Sequence, residues 1–156
     1  MAVKAVPDGY HTVTPYMTIR DAAKALEFYK KAFGAEETVR MDGPDGRISH
    51  AEMRIGNSMI MLSDEAPQMG AKSPQQLGGS PVKLLLYVDD VDGFTKRAVE
   101  AGATIVRPVE DQFYGDRAGT IEDPFAHQWF IHMHKEDVSG EEMQRRMAAM
   151  AGASGS

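Results

Sequence analysis

The chain has 156 residues, 42% hydrophobic and 26% charged, with a formal net charge of −6 at pH 7 and a pI near 5.3. That size and balance suit a soluble globular protein with a substantial core, and the acidic charge gives no footprint for nucleic acid or an anionic membrane. No apolar run approaches the roughly 20 residues of a bilayer span, no secretory leader is expected, and the lack of cysteine removes disulfides, thiolate metal sites and cysteine nucleophiles, so a cytoplasmic location is the expectation.

Residues 1–11, with Pro7 and Asp8-Gly9, read as an irregular lead-in. Alternation over Val13–Ile19 predicts a strand, with Pro15 pointing to an irregular or edge position. Asp21 is placed to cap a helix over Ala22–Phe33 whose apolar face is Ala22, Ala25, Leu26, Tyr29 and Phe33, and Gly34 suits its left-handed end. Strands are predicted near 36–42, 47–55 and 58–64, the last two joined by a tight Gly56-Asn57 hairpin. Residues 65–81, rich in Pro, Gly, Ser and Gln, show no period and read as a connection that can also serve as a lid. The order then recurs: strand 82–88, helix from about Asp90 to Ala101 ended by Gly102, and strands near 104–110, 117–122 and 127–134. From Val138 the tail resembles an amphipathic helix capped by Ser139, with Glu141 and Glu142 in its first turn. Its stripe of Met143, Met147 and Met150 is expected to pack on the body or on a second subunit, and 151–156 are expected to fray.

This is one unit written twice, at an offset close to 70 residues. Arg47 answers Arg117, Glu52 answers Glu122, and Gly56–Leu62 answers Ala126–His132. Upstream, Thr14–Asp21 answers Lys83–Asp90 at an offset of 69, and Phe33-Gly34-Ala35 answers Ala101-Gly102-Ala103 at 68. A duplicated unit tends to place its working site where the copies meet. The fold expected is α+β, two tandem βαβββ modules (about 10–64 and 82–134, joined by 65–81) forming a curved mixed sheet around a cavity, with 1–136 as the domain and 137–156 as helix and tail.

Three stretches carry a resemblance. They are Thr18-Ile19-Arg20-Asp21 leading into Leu26–Gly34, Tyr87–Asp92 followed by Ala98–Ala103, and above all Gly115–Trp129. With the tandem βαβββ order they resemble the vicinal oxygen chelate superfamily, the glyoxalase/bleomycin-resistance/dioxygenase fold, and within it the PhnB-like subgroup. The resemblance implies a cavity for a small organic molecule and a homodimer, with the halves paired within one chain or exchanged between two. It also implies a divalent metal held from the first and fourth strands of each module. By the repeat, those positions hold Thr14, Ile60, Lys83 and Phe130, none of them a normal divalent ligand. No standard metal site is therefore expected, and the cofactor stays unknown.

Strand alternation extends the lining. With Thr14 inward, Tyr16 and Thr18 face the cavity, as do Lys83, Leu85 and Tyr87, Ile60 and Leu62, and Gln128, Phe130, His132 and His134. Trp129, Ile131 and Met133 belong to the core. The expected substrate contacts are Thr14, Tyr16, Thr18, Ile60, Tyr87, Phe113, Tyr114, Arg117, Gln128 and Phe130. For proton transfer the candidates are Lys83, whose ammonium would be easier to deprotonate if enclosed, His132 and Glu122. Each has a structural alternative: Lys83 snorkelling to the rim, Glu52 and Glu122 bracing equivalent turns through Arg47, Arg54 or Arg117, and Arg117 in an ion pair. His132 and His134 share a face at a spacing that also suits a displaced metal site if Glu52, Glu122, His50 or His11 joins them. Three functions remain open: a cavity protein handling a small organic molecule without the standard metal, as an enzyme if Lys83, His132 or Glu122 moves a proton; a non-catalytic sequestering protein of the resistance type; and a metal-dependent lyase, isomerase or dioxygenase using the noncanonical histidines.

Overall fold

The computed structural model describes residues 2–154. Among them the elements run β1 (Tyr16–Ile19), α1 (Ala22–Phe33), β2 (Glu36–Asp42), β3 (Ile48–Ile55), β4 (Ser58–Asp64), α2 (Pro74–Leu77), β5 (Leu84–Tyr87), α3 (Val91–Ala101), β6 (Thr104–Asp111), β7 (Asp116–Glu122), β8 (Gln128–His134) and α4 (Gly140–Ser154). The strand order is β1-β4-β3-β2 in one sheet and β5-β8-β7-β6 in the other. In each, the first strand runs parallel to the fourth and the remaining pairs are antiparallel. The α+β reading of two βαβββ modules holds, with the mixed sheet realised as two four-stranded sheets.

Local chemistry accounts for the boundaries. Asp21 accepts a hydrogen bond from the Lys24 amide, and Gly34 ends α1 at φ 67° while its N–H reaches the Lys30 carbonyl. Lys30 and Lys31 lie in the last turn of α1, where positive charge suits the helix dipole. Asp90 caps α3 through the Gly93 amide at 3.0 Å. Pro15 has no N–H to offer a ladder, and β1 begins one residue after it, although the Pro15 carbonyl still accepts from the Met61 amide at 2.9 Å. Residues 65–81 are more ordered than their composition suggests. Ala66 pairs with Ala71, a 3-10 turn covers Pro67–Met69, and Ser73 caps the short α2. The tail helix runs through Ser154 rather than fraying from 151, and the remaining two positions of that expectation lie outside the described residues. Met147 and Met150 of its stripe are exposed in the single chain, and Arg146 ties α4 to the body, donating to the Phe113 carbonyl at 2.9 Å and to Glu136 at 2.7 Å.

The modules meet through their helices. Phe33 of α1 stacks on Phe94 of α3 with centroids 5.4 Å apart, and Tyr29 and Phe33 both meet the fully buried Trp129 edge-on. Arg97 of α3 donates to the Lys31 carbonyl at 2.6 Å. Burying a side chain such as Phe33 stabilises the fold by about 2–3 kcal/mol. Each sheet thus turns one face to this shared core and leaves the other open.

The pairing register corrects the repeat. Met61 stands opposite Tyr16 on one side and Glu52 on the other, while Phe130 stands opposite Leu85 and Thr120. Met61, not Ile60, is therefore the counterpart of Phe130, and Glu52 answers Thr120, not Glu122. Ile60 and Leu62 are buried in the helix-facing core, contrary to the inward orientation expected of them. The cause is the turn. Ile55 pairs with Ser58 across two residues, whereas Glu122 pairs with Gln128 across residues 123–127. Aligning the turns on Gly56 and Ala126 shifts the following strand by one position, and a one-residue slip reverses every facing.

Candidate functional site

The open face of the second sheet forms a cavity of about 410 Å³ lined by Leu85, Arg107, Pro108, Glu110, Gln112, Tyr114, Ala118, Gly119, Thr120, Phe130 and His132. His132 is its best-organised polar group. It is 9% exposed, and its Nδ1 lies 2.9 Å from Asp116 Oδ2. The buried Asp116 gives its other oxygen to His134 Nδ1 at 2.7 Å. Burial alone would raise the Asp116 pKa, but hydrogen bonds from the two imidazoles outweigh it and hold the carboxyl below its ordinary range. With Nδ1–H directed at a carboxylate, His132 presents Nε2 as its remaining lone pair, a tautomer assigned from the hydrogen bond. The Tyr114 ring stacks over His132 with centroids 6.1 Å apart, and Tyr87 and Phe130 approach it edge-on at 6.0 and 6.2 Å. Desolvation, then the Asp116 charge, raises the Tyr114 pKa, which keeps the phenol protonated.

Of the expected contacts, Phe130, Tyr114 and His132 come together in this cavity, and Tyr87 stands beside it, 68% exposed. The Lys83 ammonium lies 5.7 Å from the Phe130 ring centroid, but its side chain is exposed, so the enclosure on which a basic role for it depended is absent. Gln128 and Glu122 face each other across β7 and β8 and share a 3.4 Å hydrogen bond at the margin of the same face. Thr14 donates to the His11 carbonyl at 3.2 Å and lines a 230 Å³ crevice between the modules, together with Leu84, Leu85 and Leu86. Tyr16 and Thr18 lie on the open face of the first sheet, along a separate cavity of about 660 Å³.

Three of the expected substrate contacts are not where they were placed. Ile60 is core and reaches only the crevice it shares with Thr14. Arg117 is turned to the helix side, where Asp92 of α3 grips its Nε and Nη2 at 2.8 and 2.9 Å and Asp111 adds a third contact; it braces the module and does not reach the cavity. Phe113 packs edge-on against Tyr114 and gives its carbonyl to Arg146, so it supports the cavity wall from behind. Glu52 and Glu122 do not pair, since they belong to different sheets, and neither meets Arg47, Arg54 or Arg117. Arg107, Glu110, Gln112, Asp116 and Thr120 escaped the sequence reading, because their approach to His132 depends on cross-strand register. Only the Asp116-to-His134 pairing held a signal, and it needed the strands to be aligned first.

At the four positions where the resemblance places metal ligands, the corrected register gives Thr14, Met61, Lys83 and Phe130. A hydroxyl, a thioether, an ammonium and a phenyl ring do not fit a divalent cation that prefers carboxylate and imidazole donors. The histidine pair does not replace them. Both Nδ1 atoms are directed at Asp116, His134 Nε2 is directed at Asp137 at 2.8 Å, and His11, His50, Glu52 and Glu122 all lie elsewhere. No group of three or more His, Asp or Glu side chains arranged to hold a metal occurs among the described residues.

Comparison with known proteins agrees with this architecture. Residues 10–131 match the Glyoxalase/Bleomycin resistance protein/Dioxygenase superfamily. An uncharacterized protein of Mycobacterium tuberculosis is 44% identical over 152 residues, covering 96% of this chain and 87% of its own. Among solved structures, TioX from Micromonospora superposes with a TM-score of 0.62 at 22% identity, over 83% of this chain and 100% of its own. The fosfomycin resistance protein FosX from Listeria monocytogenes, complexed with Mn(II) and sulfate, superposes with a TM-score of 0.61 at 18% identity, over 88% and 97%. The latter two likenesses speak for the fold. The chain belongs to the Glyoxalase/Bleomycin resistance protein/Dioxygenase superfamily.

Proposed function

We propose that this protein binds a small, partly apolar organic molecule on the open face of its second sheet, without a metal at the four family positions. One observation carries this reading: the Lys83 ammonium stands over the Phe130 ring, 5.7 Å from its centroid, at two of the positions where a metal would need ligands. A fixed positive charge there repels a cation, and the ring beneath it is a surface for a flat ligand. Leu85, Phe130 and Tyr114 supply apolar contact, while Arg107, Glu110 and His132 supply a few directed polar groups, a division typical of small-molecule sites. Transformation of the ligand is a second reading, favoured by the Asp116–His132 pair, whose free Nε2 suits proton transfer. The motif run Gly115–Trp129 supports placement with the PhnB-like subgroup. The exposed Met147 on α4 supports a homodimer, and the absence of cysteine supports a cytoplasmic location.

Titration of the chelator-treated protein with anilinonaphthalene sulfonate, an anionic aromatic probe, tests the binding reading. Saturable binding is expected without added metal, weakened about tenfold by Phe130→Ala, equivalent to about 1.4 kcal/mol. Binding that appears only with added Mn²⁺ or Zn²⁺, or that ignores Phe130→Ala, overturns it.

A further inference from the structure

The open face of the first sheet carries a hydrogen-bonded chain that the second lacks. Tyr16 Oη lies 2.9 Å from His50 Nδ1, His50 Nε2 lies 3.1 Å from Glu52 Oε2, and Glu52 Oε1 accepts from the Tyr10 hydroxyl. Glu52 is 9% exposed and Tyr16 is 53% exposed, so the chain runs from a buried carboxylate to an accessible phenol. The Tyr10 hydrogen bond, opposed by burial and helped by His50, holds Glu52 below its ordinary range, so it stays ionised. An ionised Glu52 at Nε2 selects the tautomer with the proton on Nε2 and leaves Nδ1 to accept from Tyr16. The duplication supplies an internal contrast. The positions of Tyr16, His50 and Glu52 are occupied in the second module by Leu85, Ala118 and Thr120, which cannot form such a chain.

We propose that Tyr16, His50 and Glu52 form a proton-transfer triad, a reactive site separate from the second-sheet cavity, acting on a small uncharged organic molecule with a weakly acidic O–H. Tyr16 is the catalytic residue, and it lines the 660 Å³ cavity together with Thr18. The charged groups lining it are engaged internally: Asp64 holds the Ala22 and Ile48 amides, Glu65 holds Arg20 and Ser73, Arg47 donates to the Glu65 carbonyl at 2.7 Å, and Asp45 accepts from the Arg47 amide at 3.1 Å. They leave hydroxyls to meet an uncharged ligand. In the step, the substrate O–H bond breaks and its proton bonds to Tyr16 Oη, while the phenol proton passes to His50 Nδ1. The electron pair stays on the substrate oxygen, and the resulting imidazolium is stabilised by Glu52. His50 and Glu52 act through Tyr16 and are positioning residues.

An electrophile that consumes the same transfer tests this. With phenylmethanesulfonyl fluoride, Tyr16 Oη forms a bond to sulfur, the S–F bond breaks, fluoride leaves, and the phenol proton goes to His50. Tyr87 is the internal control, because it is more exposed (68%) but has no imidazole nitrogen on its hydroxyl. Peptide mass spectrometry is expected to show Tyr16 labelled at least about tenfold faster than Tyr87. The ratio should fall to about one in His50→Ala and recover when free imidazole is added, with circular dichroism unchanged. Equal labelling of the two tyrosines, or a ratio that His50→Ala leaves intact, overturns the proposal. A ratio that falls but does not recover with imidazole assigns His50 to holding Tyr16 in place and also overturns the proton-transfer role. None of these outcomes depends on whether the second-sheet cavity binds the aromatic probe.

Discussion

Tyr29 Oη donates a 2.6 Å hydrogen bond to Asp123 Oδ2, tying the helix of the first module to the last turn of the second. The same buried carboxylate accepts from Trp129 Nε1 at 2.9 Å and from the Phe125 and His127 amides at 2.9 and 3.0 Å. Burial, then the Asp123 charge, pushes the Tyr29 hydroxyl well above its ordinary pKa, so it remains a donor. Four donors converge on one acceptor-only group. Asp123→Asn puts an amide N–H₂ against two of them and is expected to destabilise the fold by about 2–4 kcal/mol in urea unfolding, with Tyr29→Phe costing about 1–2 kcal/mol. A cost below about 1 kcal/mol for the asparagine variant would remove Asp123 as the joint between the modules.

Ala126 occupies the left-handed region at φ 68°, as Gly56 does at φ 59° in the corresponding turn. The β-carbon of Ala126 crowds its own backbone there, at a cost of about 1–2 kcal/mol. Ala126→Gly is expected to recover about 1 kcal/mol, and Gly56→Ala to lose a similar amount, since a β-carbon at Gly56 meets nothing within 4 Å except this local strain. Paired denaturation curves check both signs.

Gly115 is required by close approach as well as by φ 102°. A β-carbon there would lie 2.2 Å from the Glu136 carbonyl oxygen, and the Gly115 carbonyl accepts from the Lys135 and Glu136 amides. Gly115→Ala should therefore push the 135–138 segment off the loop that carries Tyr114. The expected result is a loss of at least about 2 kcal/mol in stability and weaker binding of the aromatic probe. Retained probe affinity at reduced stability would separate the loop from the cavity.

His134 supplies a pH dependence. Its hydrogen bond to Asp116, followed by that to Asp137, raises its pKa above the 6.5 of an unperturbed imidazole. A folded value above the unfolded one means a contribution that is complete below about pH 6.5 and is lost as pH rises through the raised value. Asp116 runs the other way: its lowered value gives a contribution present above 3.8 and lost as pH falls through the folded value. The stability gap between the parent protein and His134→Gln should therefore be open at about pH 5.5 and narrow progressively above about pH 6.5. A gap that widens with rising pH contradicts this pairing.

Local signals carried much of the fold. Asp21 and Gly34 bracket α1, Asp90 and Gly102 bracket α3, and Ser139 begins α4, because caps are set by residues within one turn. Alternation placed Trp129 and Ile131 in the core and Phe130 and His132 opposite them. The same logic failed at Ile60, where the alternation was sound but its phase was borrowed from a turn of different length. Arg117 could not be placed from the sequence, because its partner Asp92 belongs to α3.

The sequence by itself determined two βαβββ units and their helix ends, because these depend on residue type and short-range period, and the resemblance it carries placed Thr14, Lys83 and Phe130 at three of the family's metal positions. Only the tertiary structure decided that Met61 is the fourth such position, that Asp116 orients His132, and that Tyr16, His50 and Glu52 form one chain. Each of those depends on which residue stands opposite which across a strand pair, and loop length, not local pattern, sets that register.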